Sequence, residues 1–472
     1  MSKKILSKRW PWLGAVALVV VAYLFSTFVE LRLGGGDPRP VGSVEDIEKL
    51  AERTDLNVLF ILVDMLRGDR LGSYGYERDT SPTFDHLASN GVRFARQLAQ
   101  SSWTKCSMAS LWTGFYPART GVTRFDHVIP PEATFPAEIL REAGYRTTAL
   151  YRNGWVAPYF GFDQGFEVYD RPVSRPLPPS VRRENPTIMS GGSDVDALDA
   201  AIEFLRIHGR ERWFLYLHLM DVHEYVYDED AALFGSAYSD VYDNSIRRVD
   251  MIVDRLLGHM AEEGYLETTL IALSSDHGEA FLERGLEGHA RYVYRETTEV
   301  PFILSFPFRL EPGAVVDVRT ANVDIWPTLL DLLGLPPLEG ADGRSRVPEI
   351  LATARGEPLQ DDGAPAFAEL DRTWGQRLRK PLPTVAVTEG SFRYVMATLP
   401  EGKQEAQLFD AESDALELHD VLEEQPEVAE RLRALAHSHL EGPPAPWGEE
   451  VMTLEMDEMQ LNQLRALGYA LP

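Results

Sequence analysis

Asn57-Val58-Leu59-Phe60-Ile61-Leu62-Val63-Asp64 is the stretch on which the reading of the fold turns. Six apolar residues, Val58 to Val63, run without polar alternation and end on an acid, as expected of a strand buried on both faces of a parallel sheet. Comparable runs recur at residues 146–151, 213–219, 269–274 and 302–306. Between them lie segments of helical period at 81–90, 133–143, 195–207, 242–263 and 325–333. The alternation predicts an α/β fold, a three-layer α/β/α sandwich around a large, mostly parallel sheet.

Outward from that core, the chain divides by texture. Residues 1–9 carry Lys3, Lys4, Lys8 and Arg9, and an uncharged apolar run from Trp10 to Val29 follows, long enough to cross a bilayer. By the positive-inside rule, 1–9 is a cytoplasmic tail and 10–32 a single-pass transmembrane anchor, with everything beyond it extracytoplasmic, periplasmic or extracellular. A cleaved signal peptide is the alternative; its apolar core is shorter and ends in small residues. The Gly34-Gly35-Gly36-Asp37-Pro38 stretch opens a linker over 33–54, the catalytic domain spans 55–340, and a Pro/Gly/Asp-rich connection covers 341–365. Short strands at 384–388, 392–397 and 407–409 with a helix at 426–440 predict a small α+β subdomain and tail over 366–472.

Composition excludes some functions. A net charge of −27 over 472 residues repels a phosphate backbone, so nucleic acid is not an expected partner. The single cysteine, Cys106, allows neither an intrachain disulfide nor a cysteine-based zinc cluster. No partner protein is identifiable, and an anionic substrate must be held by a metal and a few placed cations.

Three of the predicted strands lead into an acid. In open α/β sheets ligands collect at the carboxyl ends of the strands, which lets Asp64, Asp221 and Asp276 converge. A lone aspartate there is equally a turn or cap residue. The third sits in Ser275-Asp276-His277-Gly278-Glu279, where a carboxylate beside an imidazole suits one divalent ion: zinc, manganese or magnesium, with calcium the least natural.

Taken together, these segments resemble the sulfatase family of the alkaline phosphatase superfamily. The likeness rests on 57–64 with Leu66-Arg67-Gly68-Asp69-Arg70, on Trp103-Thr104-Lys105-Cys106-Ser107-Met108-Ala109-Ser110-Leu111-Trp112-Thr113-Gly114, on Asp276-His277-Gly278-Glu279 with Gly288-His289, and on Val323-Asp324-Ile325-Trp326-Pro327. It implies a metal-dependent enzyme that cleaves or transfers phosphate or sulfate esters, with Asp64, Thr104, Asp276 and His277 on the metal. Sulfatases of this family modify a loop cysteine in a Cys-x-Pro-Ser-Arg setting. Aligned on Thr113-Gly114, the chain puts Thr104 in the nucleophile position, Cys106 where proline belongs and Met108 where arginine belongs. That pattern resembles the phosphoryl-transferring, threonine-nucleophile branch. His223 and His289 match histidines that line the anion pocket and protonate a leaving oxygen. Arg67 and Lys105 are candidate anion clamps, and Asp221 is a substrate-side residue that orients a histidine. Arg152-Asn153-Gly154-Trp155 stands where many sulfatases carry Lys-Trp-His, which puts Asn153 at a substrate-binding position. The competing readings are a sulfatase, acting either without a modified cysteine or through a modified Cys106, and a tethered binding protein that kept the fold without turnover.

Overall fold

In the computed structural model the described residues are 37–173, 192–228, 233–361, 363–374, 379–448 and 450–465. The expected tail 1–9 and anchor 10–32 lie outside them. Among the described residues, no helix is long and apolar enough to cross a membrane.

The central sheet has eight strands: β1 (Asn57–Val63), β2 (Val92–Leu98), β3 (Arg146–Leu150), β4 (Val168–Asp170), β5 (Trp213–Leu219), β6 (Thr269–Ser274), β7 (Glu299–Ser305) and β8 (Ala314–Ala321), in the order β8-β2-β7-β6-β1-β5-β3-β4. Five neighbouring pairs are parallel, and only β7 runs antiparallel, to β2 and β6, so the sheet is mostly parallel as expected. All seven residues of β1 are buried because both faces are covered. Val58, Phe60 and Leu62 belong to one apolar core, Leu59, Ile61 and Val63 to the other. That odd/even division is the strand period made physical.

On the first face the core takes in α3 (Thr104–Thr113), α4 (Pro136–Glu142) and α7 (Ile325–Leu332); on the second it takes in α2 (Pro82–Ser89), α5 (Asp194–His208) and α6 (Tyr238–Glu262). Trp112 anchors the first core, stacked 5.2 Å from Trp326 and edge-on to Tyr216 at 4.9 Å.

Two expected connections contain short helices. Within 33–54, α1 (Val44–Glu48) is closed by a capping box at Ser43 and buries Ile47, with Leu50 buried just after it. Within 341–365, α8 (Val347–Ala354) buries Ile350. The C-terminal subdomain is an antiparallel sheet of β9 (Ala366–Asp371), β10 (Pro383–Glu389), β11 (Phe392–Thr398) and β12 (Gln404–Asp410), whose apolar face packs with Leu432 and Ala436 of α9 (Pro426–Leu440). Strands β2, β4, β8 and β9 were not anticipated from sequence; Ala314–Ala321 alternates buried and exposed residues at the sheet edge, a weaker pattern than a continuous run.

Candidate active site

The carboxyl ends of the parallel strands gather the chemistry. Asp64 directly follows β1, Asp276 lies two residues past β6, and Thr104 is the first residue of α3, with Trp103 in the capping position ahead of it. Met65 takes φ +65°, a left-handed conformation that a non-glycine residue adopts at a cost. Its N–H donates to Asp276 Oδ1 at 3.2 Å and its carbonyl accepts from Tyr242 at 2.7 Å, which tie the turn in place.

Asp64, Asp276 and His277, all fully buried, present ligand atoms within 4.8 Å of one another. Each carboxylate has one oxygen fixed and one bare. Asp64 Oδ2 accepts from Asn153 Nδ2 at 2.6 Å and His218 Nε2 at 3.1 Å, and Asp276 Oδ1 accepts from Met65, whereas Asp64 Oδ1 and Asp276 Oδ2 are enclosed without a donor among the described residues. His277 Nδ1 lies 3.0 Å from the Gly278 carbonyl, which can only accept, so Nδ1 carries the proton and Nε2 offers a lone pair. Two enclosed, unsolvated carboxylate oxygens beside an imidazole lone pair are unfavourable by themselves and fit a divalent cation. The electrostatics agree. Burial raises Asp64, but His223, His218 and His277 outweigh it and hold the carboxyl well below the usual range. Burial, then the Asp64 charge, pushes Asp276 up.

Thr104 belongs to this cluster and Cys106 does not. Thr104 Oγ1 lies 3.1 Å from His277 Nε2 and accepts from Asn153 Nδ2 at 3.3 Å; the amide's orientation is set by Trp155 N–H, which donates to Asn153 Oδ1 at 2.8 Å. One turn on, Ser107 Oγ donates to the Asp276 carbonyl at 2.6 Å and locks α3 to the metal loop. Cys106 is buried in the core cluster, its Sγ 3.9 Å from the Glu369 carbonyl, and burial drives its thiol pKa far up.

Two further histidines complete the wall. The His289 ring stacks on His277 at 4.5 Å and meets His223 at 5.0 Å. Burial disfavours charge on His289, but Glu279, 2.9 Å from its Nδ1, outweighs that and raises it. His223 has no such carboxylate partner; burial lowers it to about 4, and its enclosed Nε2 bonds to nothing among the described residues.

The family model for Sulfatase matches residues 56–335, more than half of the chain and the whole of this cluster. The chain belongs to the Sulfatase family. A choline-sulfatase of Rhizobium meliloti is 26% identical over 443 residues, covering 78% of this chain and 82% of that one. An N-acetylgalactosamine-6-O-sulfatase of Bacteroides thetaiotaomicron is 23% identical, covering 81% and 92%. Among solved structures, a phosphonate monoester hydrolase of Agrobacterium radiobacter superposes with a TM-score of 0.64 at 21% identity, covering 82% of this chain and 96% of that one, and shares the fold.

Within this sulfatase-family site, three residues expected at the substrate are engaged elsewhere. Arg67 pairs with Asp69 at 2.7 Å and Glu283 at 2.5 Å and donates to the Glu279 carbonyl at 2.8 Å, so its guanidinium braces the loop beneath His289 rather than an anion. Lys105 is fully buried, donates to the Phe125 carbonyl at 2.8 Å and sits 3.6 Å from the Phe160 ring centre; burial without a carboxylate partner lowers its amine well below the usual range. Asp221 orients no histidine: it accepts from Arg152 at 2.7 Å and Arg248 at 3.0 Å. Conversely, His218 emerges as a site residue. It is the penultimate residue of β5, taking its Nδ1 contact from Tyr216 at 2.8 Å and aiming Nε2 at Asp64. The available signal was its place on the Phe214-Tyr216 face, a polar residue on an aromatic stripe at a strand's carboxyl end.

Proposed function

We propose that this chain is a metal-dependent hydrolase or transferase of sulfate or phosphate-type monoesters in which Thr104 is the nucleophile. The observation that carries it is the Thr104 hydroxyl, 3.1 Å from His277 Nε2 inside the Asp64, Asp276 and His277 triad, while Cys106 packs away from it. A divalent ion held by Asp64, Asp276, His277 and Thr104 Oγ1 would acidify the hydroxyl and withdraw charge from a tetrahedral oxyanion.

The chain's own groups do the rest. Asn153 donates to Thr104 Oγ1 and stabilises it as the deprotonated nucleophile. The N-terminus of α3, ten residues long, adds the partial positive charge of its free N–H groups beside the incoming anion. As Thr104 Oγ1 bonds to sulfur or phosphorus, the ester bond breaks and the leaving oxygen takes a proton from His289, kept protonated by Glu279. His289, now neutral, accepts a proton from water or an acceptor alcohol that discharges Thr104. The names of the relatives, sulfatases and a phosphonate monoester hydrolase, support a monoester of either kind. Turnover of chromogenic sulfate, phosphate and phosphonate monoesters across several divalent metals tests the reading; no turnover of any of them by metal-loaded protein sinks it.

We also place the domain outside the cytoplasm on an uncleaved anchor, on the strength of Lys3, Lys4, Lys8 and Arg9 ahead of the apolar run. Reporter fusions at the C-terminus test this.

A further inference from the structure

Away from the catalytic cluster, a cleft of about 300 Å3 opens between the edge of the central sheet and the β10–β11 turn. Four guanidinium groups line it: Arg96 from β2, Arg319 from β8, Arg295 just before β7 and Arg393 from β11. In a chain of net charge −27 such a concentration of cations is anomalous. Arg96 and Arg319 are direct partners across the parallel β2–β8 pair, where like charges repel.

Most of this charge is answered. Arg393 pairs with Glu417 at 2.7 Å, Arg295 with Glu299 at 2.6 Å and Arg96 with Asp317 at 3.2 Å. Arg319 differs. Its Nη2 donates to the Gly390 carbonyl, and among the described residues its Nη1 has no hydrogen-bond partner and no carboxylate forms an ion pair with it. Burial, then the charge of Arg393, lowers it to about 10, and the more distant carboxylates of Asp361 and Glu299 offset this only in part. Glu412, the remaining acid on the cleft wall, is exposed. A half-buried guanidinium with an unused donor, in the wall of a cleft beside three others, has room for a further acceptor, and the group that matches several forked donors is a tetrahedral oxyanion.

We propose that the Arg319 cleft is a second anion site, taking a sulfate or phosphate group that is distinct from the one at Thr104. The group has two sources: free inorganic oxyanion, or an additional sulfate or phosphate carried by a large substrate. The site is independent of the catalytic reading, because none of its residues belongs to the Asp64–Thr104–His277 cluster.

The test is calorimetric titration of inorganic sulfate and phosphate into the metal-loaded full chain, wild type against Arg319→Gln, at low ionic strength. The expected result is loss of one class of anion site, at least about tenfold in affinity, with kcat/KM for a small monoester unchanged. Thr104→Ala, which stops turnover under the catalytic reading, retains the class that Arg319→Gln loses. A substrate with two sulfates separates the sources: a KM raised by Arg319→Gln for that substrate assigns the site to a substrate group, and an unchanged KM beside lost free-anion binding assigns it to free oxyanion. Should Arg319→Gln fail to fold, Arg319→Lys keeps the charge without the fork and is expected to weaken binding by about tenfold. Equal stoichiometry and affinity in wild type and a folded variant overturns the proposal.

Discussion

Asn153 Nδ2 stands 2.6 Å from Asp64 Oδ2, and the same nitrogen reaches Thr104 Oγ1 at 3.3 Å. One amide thus fixes both a metal carboxylate and the nucleophile. Removing it in Asn153→Ala frees Asp64 to rotate and strips Thr104 Oγ1 of its donor. Metal affinity and turnover are expected to fall about 10–100-fold, as when other groups that orient metal ligands are lost. Calorimetric metal titration and kcat/KM measure both; wild-type values would remove Asn153 from the site.

Glu279 is the partner of His289 rather than of the metal. Taking away its charge in Glu279→Gln leaves burial to lower His289, so the protonated acid is lost at lower pH. The alkaline limb of the pH–rate profile should move down in pH while the metal content stays constant. An unmoved limb would mean that another group protonates the leaving oxygen.

Acid stability carries a signature away from the site. Burial, with the Lys105 charge second, lowers His127 to about 4 from an ordinary 6.5. Below the ordinary value the unfolded chain takes a proton that the folded chain refuses until about pH 4. The stability this group contributes is therefore complete above that ordinary value and is lost as pH falls toward the folded one. Urea midpoints recorded across this range should drop less for His127→Gln than for wild type; equal drops would contradict the assignment.

Trp112 tests the core beneath Thr104. It stacks on Trp326 and lies parallel to Phe135 at 5.7 Å, so Trp112→Ala leaves a large void and should cost about 3–5 kcal/mol by denaturant unfolding. A cost under 1 kcal/mol, about what a volume-conserving swap costs, would mean that the site collapses around the gap.

How much of this was legible in the sequence follows from which interactions are local. Asn57–Val63 could be read because burial on both faces writes itself into every residue of the strand. That Asp64, Thr104, Asp276 and His277 come together was legible because the ordered motifs carry them. Arg67 and Lys105 were misplaced because a side chain's charge says nothing about who answers it: Arg67 is claimed by Glu283, 216 residues away, and Lys105 by a backbone carbonyl. The same holds for Asp221, whose arginine partners come from the β3 end and from α6. His218 was passed over because its value depends on β1 and β5 being neighbours, with Leu62 opposite it. The helices Val44–Glu48 and Val347–Ala354 inside the expected connections were hidden because elements of five and eight residues carry little periodicity.

The central claim is that Thr104 Oγ1 bonds covalently to the substrate's sulfur or phosphorus. Its most direct test is peptide mass spectrometry on metal-loaded protein quenched in acid during turnover. The account predicts one added sulfuryl or phosphoryl group on Thr104, with Cys106 in the same peptide still an unmodified thiol. An unlabelled Thr104 together with Cys106 converted to an aldehyde would contradict it.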